Sequence, residues 1–441
     1  MSIRESIDSA PMGKYQMSIV GICFAIILAE GYDLLLMAFA ATVVAEEWGL
    51  SGSQLGVLLS SSLIGIGLGS LFVAPLADRT GRRPLSLGCL LFVGLSMVFA
   101  SVSTSYVQLG ISRLLTGIGI GGLVACLPVI IAEFSPRRRR TSMILLYTTG
   151  LPIGGIAAGA VAVSLNSSYG WRASFVVGAI VTLLLCVVVN LRMPESLDYL
   201  VYRRPPGALE QINATLPKMG LAPIAALPEP EPHSQGMKAT MFEGRNGVRS
   251  LLLCSAFFFA MAAFHFAASW TPRLLQQSGM STQQGISGGM LFNLGGIAAT
   301  VTFSVLAVIA THKLLIIVSA IGAALSFLAV GVGLGTLTFA LIAVVAVGFC
   351  MQATNSGLLA LAPDCYPAQV RTTALGWALA VGRIGSILSP ILVGILVDRE
   401  WSPSSIFVLF AIPLLVTALL VAAIKIPVQP PMRTATKTAP A

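Results

Sequence analysis

The sequence predicts an all-α polytopic membrane protein, with twelve transmembrane helices arranged as two pseudo-symmetric six-helix bundles. Three observations carry that expectation. Hydrophobic residues make up 56% of the chain and charged residues only 10%, with a mean hydropathy of +0.89. A soluble domain carries about 25% charged residues, so this composition belongs in a bilayer. Apolar runs of spanning length, roughly 20 residues at 1.5 Å each, recur twelve times. Finally, the second half repeats the first in the same orientation.

Hydropathy and loop charge place the helices near residues 18–44, 54–77, 84–103, 105–133, 141–165 and 171–192, then 249–270, 283–310, 313–333, 336–362, 373–396 and 404–425. The domains follow: a tail 1–17, a first bundle 18–192, a linker 193–248, a second bundle 249–425 and a tail 426–441. The linker is rich in proline and lacks a long apolar run, with one short helix expected around Ala208–Leu216. The final tail reads as disordered. The first run is too long for a signal-peptide core, contains acids and lacks a cleavage site, so it is expected to stay as a span. The net charge of +9 reflects orientation. On this topology 21 of the 26 Lys and Arg fall in one set of loops and tails, three in the other (Arg172, Arg273, Arg399) and two in the membrane (Arg113, Arg383). The positive-inside rule then places both termini in the cytoplasm, and the membrane is expected to be the plasma (inner) membrane. That charge gives no indication of a nucleic-acid partner. The seven scattered cysteines form no CxxC pair and read as small buried hydrophobes, with no metal.

The repeat has an offset of 231. Glu133, Pro136 and Arg140-Thr141 align with Asp364, Pro367 and Arg371-Thr372, Gly117 with Gly348, and Gly154 with Gly385. Parallel repeats of this kind form paired bundles with a site between them near the midplane, which is a transporter architecture. The differences between repeats are the informative positions. Glu30 and Asp33 face Met261 and Phe264 across the alignment, and Arg383 faces Pro152. A symmetric scaffold therefore carries an asymmetric set of charges.

Glu30 and Asp33 share one helix face at membrane depth, where each carboxylate costs roughly 2.5–3.5 kcal/mol. Burial and a like-charged neighbour suit them to carrying protons. Arg383 near the midplane needs an anionic partner, and its planar fork suits a carboxylate, either a substrate's or that of Asp33, Glu30 or Glu133. Arg113 and Glu133 lie some 30 Å apart on one helix, too far to pair; Arg113 is expected to be structural or gating, and Glu133 a gate partner at a helix end. His265, Gln352, Asn355 and Asn293 are candidate polar cavity residues, and Tyr32, Phe264, Phe266 and Trp377 candidate aromatic walls. No Ser/His/Asp set, HExxH or phosphate loop is present, so no enzyme is indicated. The linker is too short for a nucleotide-binding domain, so transport needs no cofactor and draws on an ion gradient.

Leu76-Ala-Asp78-Arg79-Thr-Gly81-Arg82-Arg83-Pro84, with Arg113-x-x-x-Gly117-x-x-x-Gly121, resembles the signature of the major facilitator superfamily, although Ala74 stands where many members have Gly. Glu30-Gly31-Tyr32-Asp33 resembles the Asp-Gly-Tyr-Asp element of the aromatic acid:proton symporter family, with Glu for the first Asp. Arg113 to Gly122 with Glu133 and Arg137–Arg140, Tyr366 to Trp377, Gly382-Arg383-Ile384-Gly385, Gly170-Trp171-Arg172 and Pro194-Glu195-Ser196 are similar to that family as well. The resemblance implies a major facilitator fold in which Asp78, Arg79, Gly81, Arg82 and Arg83, with Arg113, Glu133, Arg140 and Arg371, govern conformational change. It implies proton-coupled uptake of a small aromatic carboxylate by a functional monomer; beside it, the residues' own chemistry assigns proton coupling to Asp33 and Glu30 and substrate binding to Arg383, Tyr32, His265, Gln352, Asn355 and Trp377. Alternatives are symport of another organic anion, such as nicotinate or a dicarboxylate, or proton-antiport efflux.

Overall fold

A computed structural model describes residues 3–228, 244–366 and 371–425. Twelve described helices are long and apolar enough to cross a membrane. They are α1 Lys14–Trp48, α2 Gly52–Thr80, α3 Arg82–Ser101, α4 Tyr106–Phe134, α5 Arg137–Tyr169, α6 Trp171–Arg192, α7 Gly244–Gln277, α8 Thr282–Leu306, α9 His312–Gly333, α10 Leu337–Cys365, α11 Arg371–Asp398 and α12 Pro403–Ala423. Most run a few residues beyond the apolar stretch, because backbone hydrogen bonding continues until a cap stops it. Gly49 closes α1 in the left-handed region (φ 61°). Ser51 and Ser281 open α2 and α8 as capping boxes with Gln54 and Gln284. Short helices also form at Ile3–Ser9, Leu197–Arg203 and Ala208–Thr215. Part of the linker, Pro367 of the repeat and the C-terminal tail lie outside the described residues.

The repeat is visible in the packing. In the first half α1 lies on α5, α2 on α4, and α3 on both α4 and α6. The second half repeats this with α7 on α11, α8 on α10, and α9 on both α10 and α12. Close backbone approaches recur at matching glycines. A side chain at Gly117 would strike the Ser62 carbonyl, and one at Gly348 the Phe292 carbonyl. Gly154 and Gly385 meet the Leu28 and Phe258 carbonyls in the same way. Side chains small enough to let helix backbones touch supply the packing that water cannot drive inside a membrane.

The halves meet through α2 on α11 and α5 on α8. Along the first seam, Gly52 lies against Gly394, Gly56 against the Pro390 carbonyl, and Ser60 Oγ donates to the Ile387 carbonyl at 2.8 Å. Continuing this antiparallel register brings Leu71 and Phe72 opposite residues near Gly376. There the helices have parted: Leu71 and Phe72 are exposed, and nothing lies within 4 Å of where a Gly376 side chain would be. The second seam is closed at the same end, with Gly155 against Asn293 and Gly159 against Met290. The bundles thus enclose a V-shaped cleft, shut at the end where α1 finishes and open at the end bearing Ile3 and Ile424.

Asp398, the last residue of α11, latches the shut end. Its carboxylate accepts from the backbone N–H of Gly52 and of Ser53 (2.8 Å for the latter) and from Ser53 Oγ. An anion on the first turn of α2 also meets the positive end of its dipole. This contact exists only while the end is shut. Asp398→Ala should therefore favour the oppositely open state. An exposed contact of this type contributes about 1 kcal/mol, so the ratio of states should move roughly fivefold. Spin-label distances between Thr104 and Gln277 would report this as a larger long-distance population, and an unchanged distribution would show that Asp398 does not hold the end shut.

Candidate functional site

The acidic stretch lies where α1 crosses α5. Gly31 is required there, since any side chain would run into the Leu151 backbone. That contact fixes the rotation of α1 and turns Asp33 toward α4. Arg113 Nη1 donates to Asp33 Oδ1 at 2.7 Å, and both side chains are 0% exposed. Arg113 Nη2 also reaches Thr116 Oγ1 at 3.1 Å, and the guanidinium lies 4.7 Å from the centroid of the Phe175 ring. Of the partners left open for Arg383, Asp33 is thereby taken by another cation. That cation is Arg113, on the same bundle, a structural contact of the kind expected for it. Glu30 is buried at 3% exposure, and among the described residues neither of its carboxyl oxygens has a hydrogen-bond partner.

A narrow cavity of about 40 Å³ sits at the apex of the cleft, with room for a few water molecules. Both bundles line it. Leu34, Ser62 and Pro152 face Phe264, His265, Phe292, Asn293 and Gln352. Phe264 stands edge-on to His265 at 5.4 Å and lies 5.6 Å from Phe292, making an aromatic wall on the second bundle. His265, Gln352, Asn293 and Phe264 therefore come together as expected from their residue types, and Phe292 joins them unforeseen.

Four expected cavity residues lie elsewhere. Tyr32 turns to α6, where its hydroxyl donates to the Ser174 carbonyl at 2.7 Å. Phe266 stacks on Phe410 at 4.0 Å inside the second bundle. Trp377 is half exposed on the parted stretch of α11, and Asn355 is absent from the cavity lining. Arg383 is half-buried on the face of α11 that carries Ile387, one turn nearer the cleft opening. It is within electrostatic reach of His265. Among the described residues no carboxylate lies within ion-pair distance of it.

The loop joining α2 to α3 is tied down within the first bundle. Arg82 reaches Asp78 at 3.5 Å and Glu133, at the end of α4, at 3.9 Å. Glu195 was recognised in the sequence only as part of a motif. Its Oε1 accepts from the backbone N–H of Arg82 (2.9 Å) and Arg83 (3.2 Å), capping α3. Gly81 turns the chain at φ 99°, a left-handed conformation, and a side chain there would strike Glu195. Arg83 donates to the Asn190 carbonyl at 2.7 Å, Arg79 is exposed, and Arg140 pairs with Asp8 at 2.9 Å. Arg371 opens α11 on the same side.

A buried ion pair punishes removal of one partner much more than removal of both. Arg113→Leu should lower unfolding stability in detergent by roughly 3–5 kcal/mol, and adding Asp33→Leu should restore most of it. A double variant no more stable than the single one would mean that the two side chains are not paired.

Comparison with known proteins agrees with this architecture. The family model described as Major Facilitator Superfamily matches residues 22–346 and 311–441. The 4-hydroxybenzoate transporter PcaK of Pseudomonas putida is 29% identical over 420 residues, covering 94% of this chain and 93% of that protein. The gallate transporter of Pseudomonas putida is 29% identical, covering 96% and 95%. The 3-(3-hydroxy-phenyl)propionate transporter of Escherichia coli K12 is 31% identical, covering 85% of each. Among solved structures, the partially occluded inward-open xylose transporter XylE of E. coli superposes with a TM-score of 0.74 at 20% identity, covering 93% of this chain and 98% of that one. The paired bundles, the signature loop and these matches together place the chain in the Major Facilitator Superfamily as a multi-pass membrane protein.

Proposed function

We propose that this protein imports a small aromatic carboxylate, such as benzoate or a hydroxybenzoate, together with protons, by alternating access across the plasma (inner) membrane. The observation that carries the proposal is Arg383, a guanidinium within electrostatic reach of His265 in a cavity walled by Phe264 and Phe292, with no carboxylate within ion-pair distance among the described residues. A permanent cation at membrane depth calls for an anion, and a planar fork takes a carboxylate bidentately. The ring then lies against the phenylalanines, while His265, Asn293 and Gln352 offer hydrogen bonds to ring substituents. The names of the relatives, transporters of 4-hydroxybenzoate, gallate and 3-(3-hydroxy-phenyl)propionate, support the substrate class.

Proton coupling is assigned to Asp33 and Glu30. A proton on Asp33 removes the charge that holds Arg113 and frees the packing of α1 against α4. With both termini in the cytoplasm, as the distribution of Lys and Arg implies, the cleft described above is open inward. Asp398 then guards the outer end. The protein works with no cofactor, on the proton gradient, and proton and substrate each favour the other's binding to the same degree.

Uptake of labelled benzoate and 4-hydroxybenzoate into proteoliposomes with an imposed pH gradient tests the function. Wild type should accumulate label and alkalinise the outer medium in step. Arg383→Ala should lower uptake at least a hundredfold, since it removes the carboxylate partner. Asp33→Asn should abolish gradient-driven accumulation. Full uptake by Arg383→Ala would refute the carboxylate site, and retention of stoichiometric proton movement by Asp33→Asn would refute the coupling role.

A further inference from the structure

The cavity holds an acceptor whose orientation its own helix fixes. Asn293 on α8 is 6% exposed and lines the cavity from the second bundle. Its Nδ2 donates to the Gly289 carbonyl at 2.8 Å, one turn back on the same helix. A backbone carbonyl can only accept, so the amide cannot be reversed and Oδ1 points away from it. Among the described residues nothing donates to Oδ1. Unlike the sealed oxygens of Glu30, it opens on the cavity. The bond lies within α8, so it travels with that helix and holds Oδ1 in place whatever the angle between the bundles.

Two further polar side chains, more than nine-tenths buried, meet the same space: Ser62 of the first bundle and His265 of the second. Among the described residues neither side chain makes a hydrogen bond. A hydroxyl donates and accepts, and a neutral imidazole carries one nitrogen of each kind, so these two can answer either kind of ligand atom. Asn293 Oδ1 cannot, because only a donor satisfies it. A carboxylate, which only accepts, is therefore turned away from Asn293 and toward Arg383. Counted from Thr282 and Asp398 at the shut end, Asn293 lies about 6 Å deeper along its helix than Arg383, at 1.5 Å per residue. That is close to the reach from a benzoate's carboxyl group to a substituent in the para position.

We propose that Asn293 is a specificity-determining residue, its Oδ1 accepting a hydrogen bond from a donor on the far side of the substrate ring, such as a para hydroxyl. A ring without that donor shuts water away from Oδ1 and leaves the acceptor unpaired. Asn293 thereby selects rings that carry a donor and fixes which end of the molecule enters first. The inference rests on the carboxylate site proposed above and narrows what that site takes.

Isothermal titration of the purified protein with 4-hydroxybenzoate and 4-fluorobenzoate tests this, since fluorine is close to a hydroxyl in size but donates nothing. Wild type should bind the hydroxy acid roughly ten to a hundred times more tightly, as expected when one buried acceptor is left unpaired. Asn293→Leu is similar in shape but lacks the acceptor. It should weaken the hydroxy acid and tighten the fluoro acid, bringing their ratio close to one. The gain for the fluoro acid also shows that the variant is folded. Wild type gives a check that does not depend on the variant: 4-aminobenzoate, which donates, should bind more tightly than 4-methoxybenzoate, which only accepts. Equal affinity of wild type for the hydroxy and fluoro acids overturns the proposal. So does a preference that survives Asn293→Leu, or tighter binding of the methoxy acid than of the amino acid analogue. Failure of wild type to bind any of the four would instead refute the carboxylate site on which the inference rests.

Discussion

One buried ion pair, Asp33 with Arg113, organises the first bundle around a charge it cannot discard singly. Two ions withdrawn from solvent gain little stability over apolar residues of the same size, so stability alone does not explain their presence. The repeat supplies an internal control. Under the 231-residue offset, Asp33 and Arg113 correspond to Phe264 and Val344. Val344 is buried, and the helices carrying these two residues pack in the second bundle as their counterparts do in the first. The same scaffold therefore stands without the ions. What the first bundle has gained is a contact whose strength depends on one proton.

The cavity shows why such a contact matters at a distance. It lies where the seams between the halves converge, and the wall residue Phe264 is itself the counterpart of Asp33. One bundle places a charge at the repeated position and the other places a ring. Arg383 stands one turn from Ile387, whose carbonyl accepts from Ser60 across the seam. Any movement of α2 along α11 that undoes the Asp398 latch also displaces this guanidinium relative to the first bundle. In the proposed cycle, closure at one end and the geometry of the proposed carboxylate site are thus two readouts of one sliding interface.

Much of this was legible in the sequence because each signal was local or periodic. Span number followed from hydropathy, the doubled architecture from the constant offset, and the outlying charges from positions where the repeats disagree. Pairing was not legible. Asp33 and Arg113 are 80 residues apart, and close contacts of α1 such as Gly31–Leu151 and Gly154–Leu28 set which neighbour it turns its acid toward. Rotational phase was lost for the same reason. A helix apolar on every side has no stripe to show which way it faces, so Phe264 and Phe266 looked equivalent although one lines the cavity and the other is buried in the bundle. Tyr32 and Trp377 were misplaced on the same grounds. Glu195 and Asp398 act through backbone N–H groups, which carry no sequence signature.

The size of the cavity completes the mechanical argument. A space of about 40 Å³ admits water and excludes a benzene ring, so under the proposed function the loaded conformation is wider here. A ligand shifts a conformational equilibrium only by its difference in affinity between the states. A cavity collapsed in one state and wide in another makes that difference large for a rigid ring. For a carboxylate the proposed site makes the difference larger still, because among the described residues no acid lies within ion-pair distance of Arg383. Steric exclusion and an unanswered charge thus act in the same direction. Together they tie occupancy of a site between the bundles to the angle between them, without a dedicated signalling path.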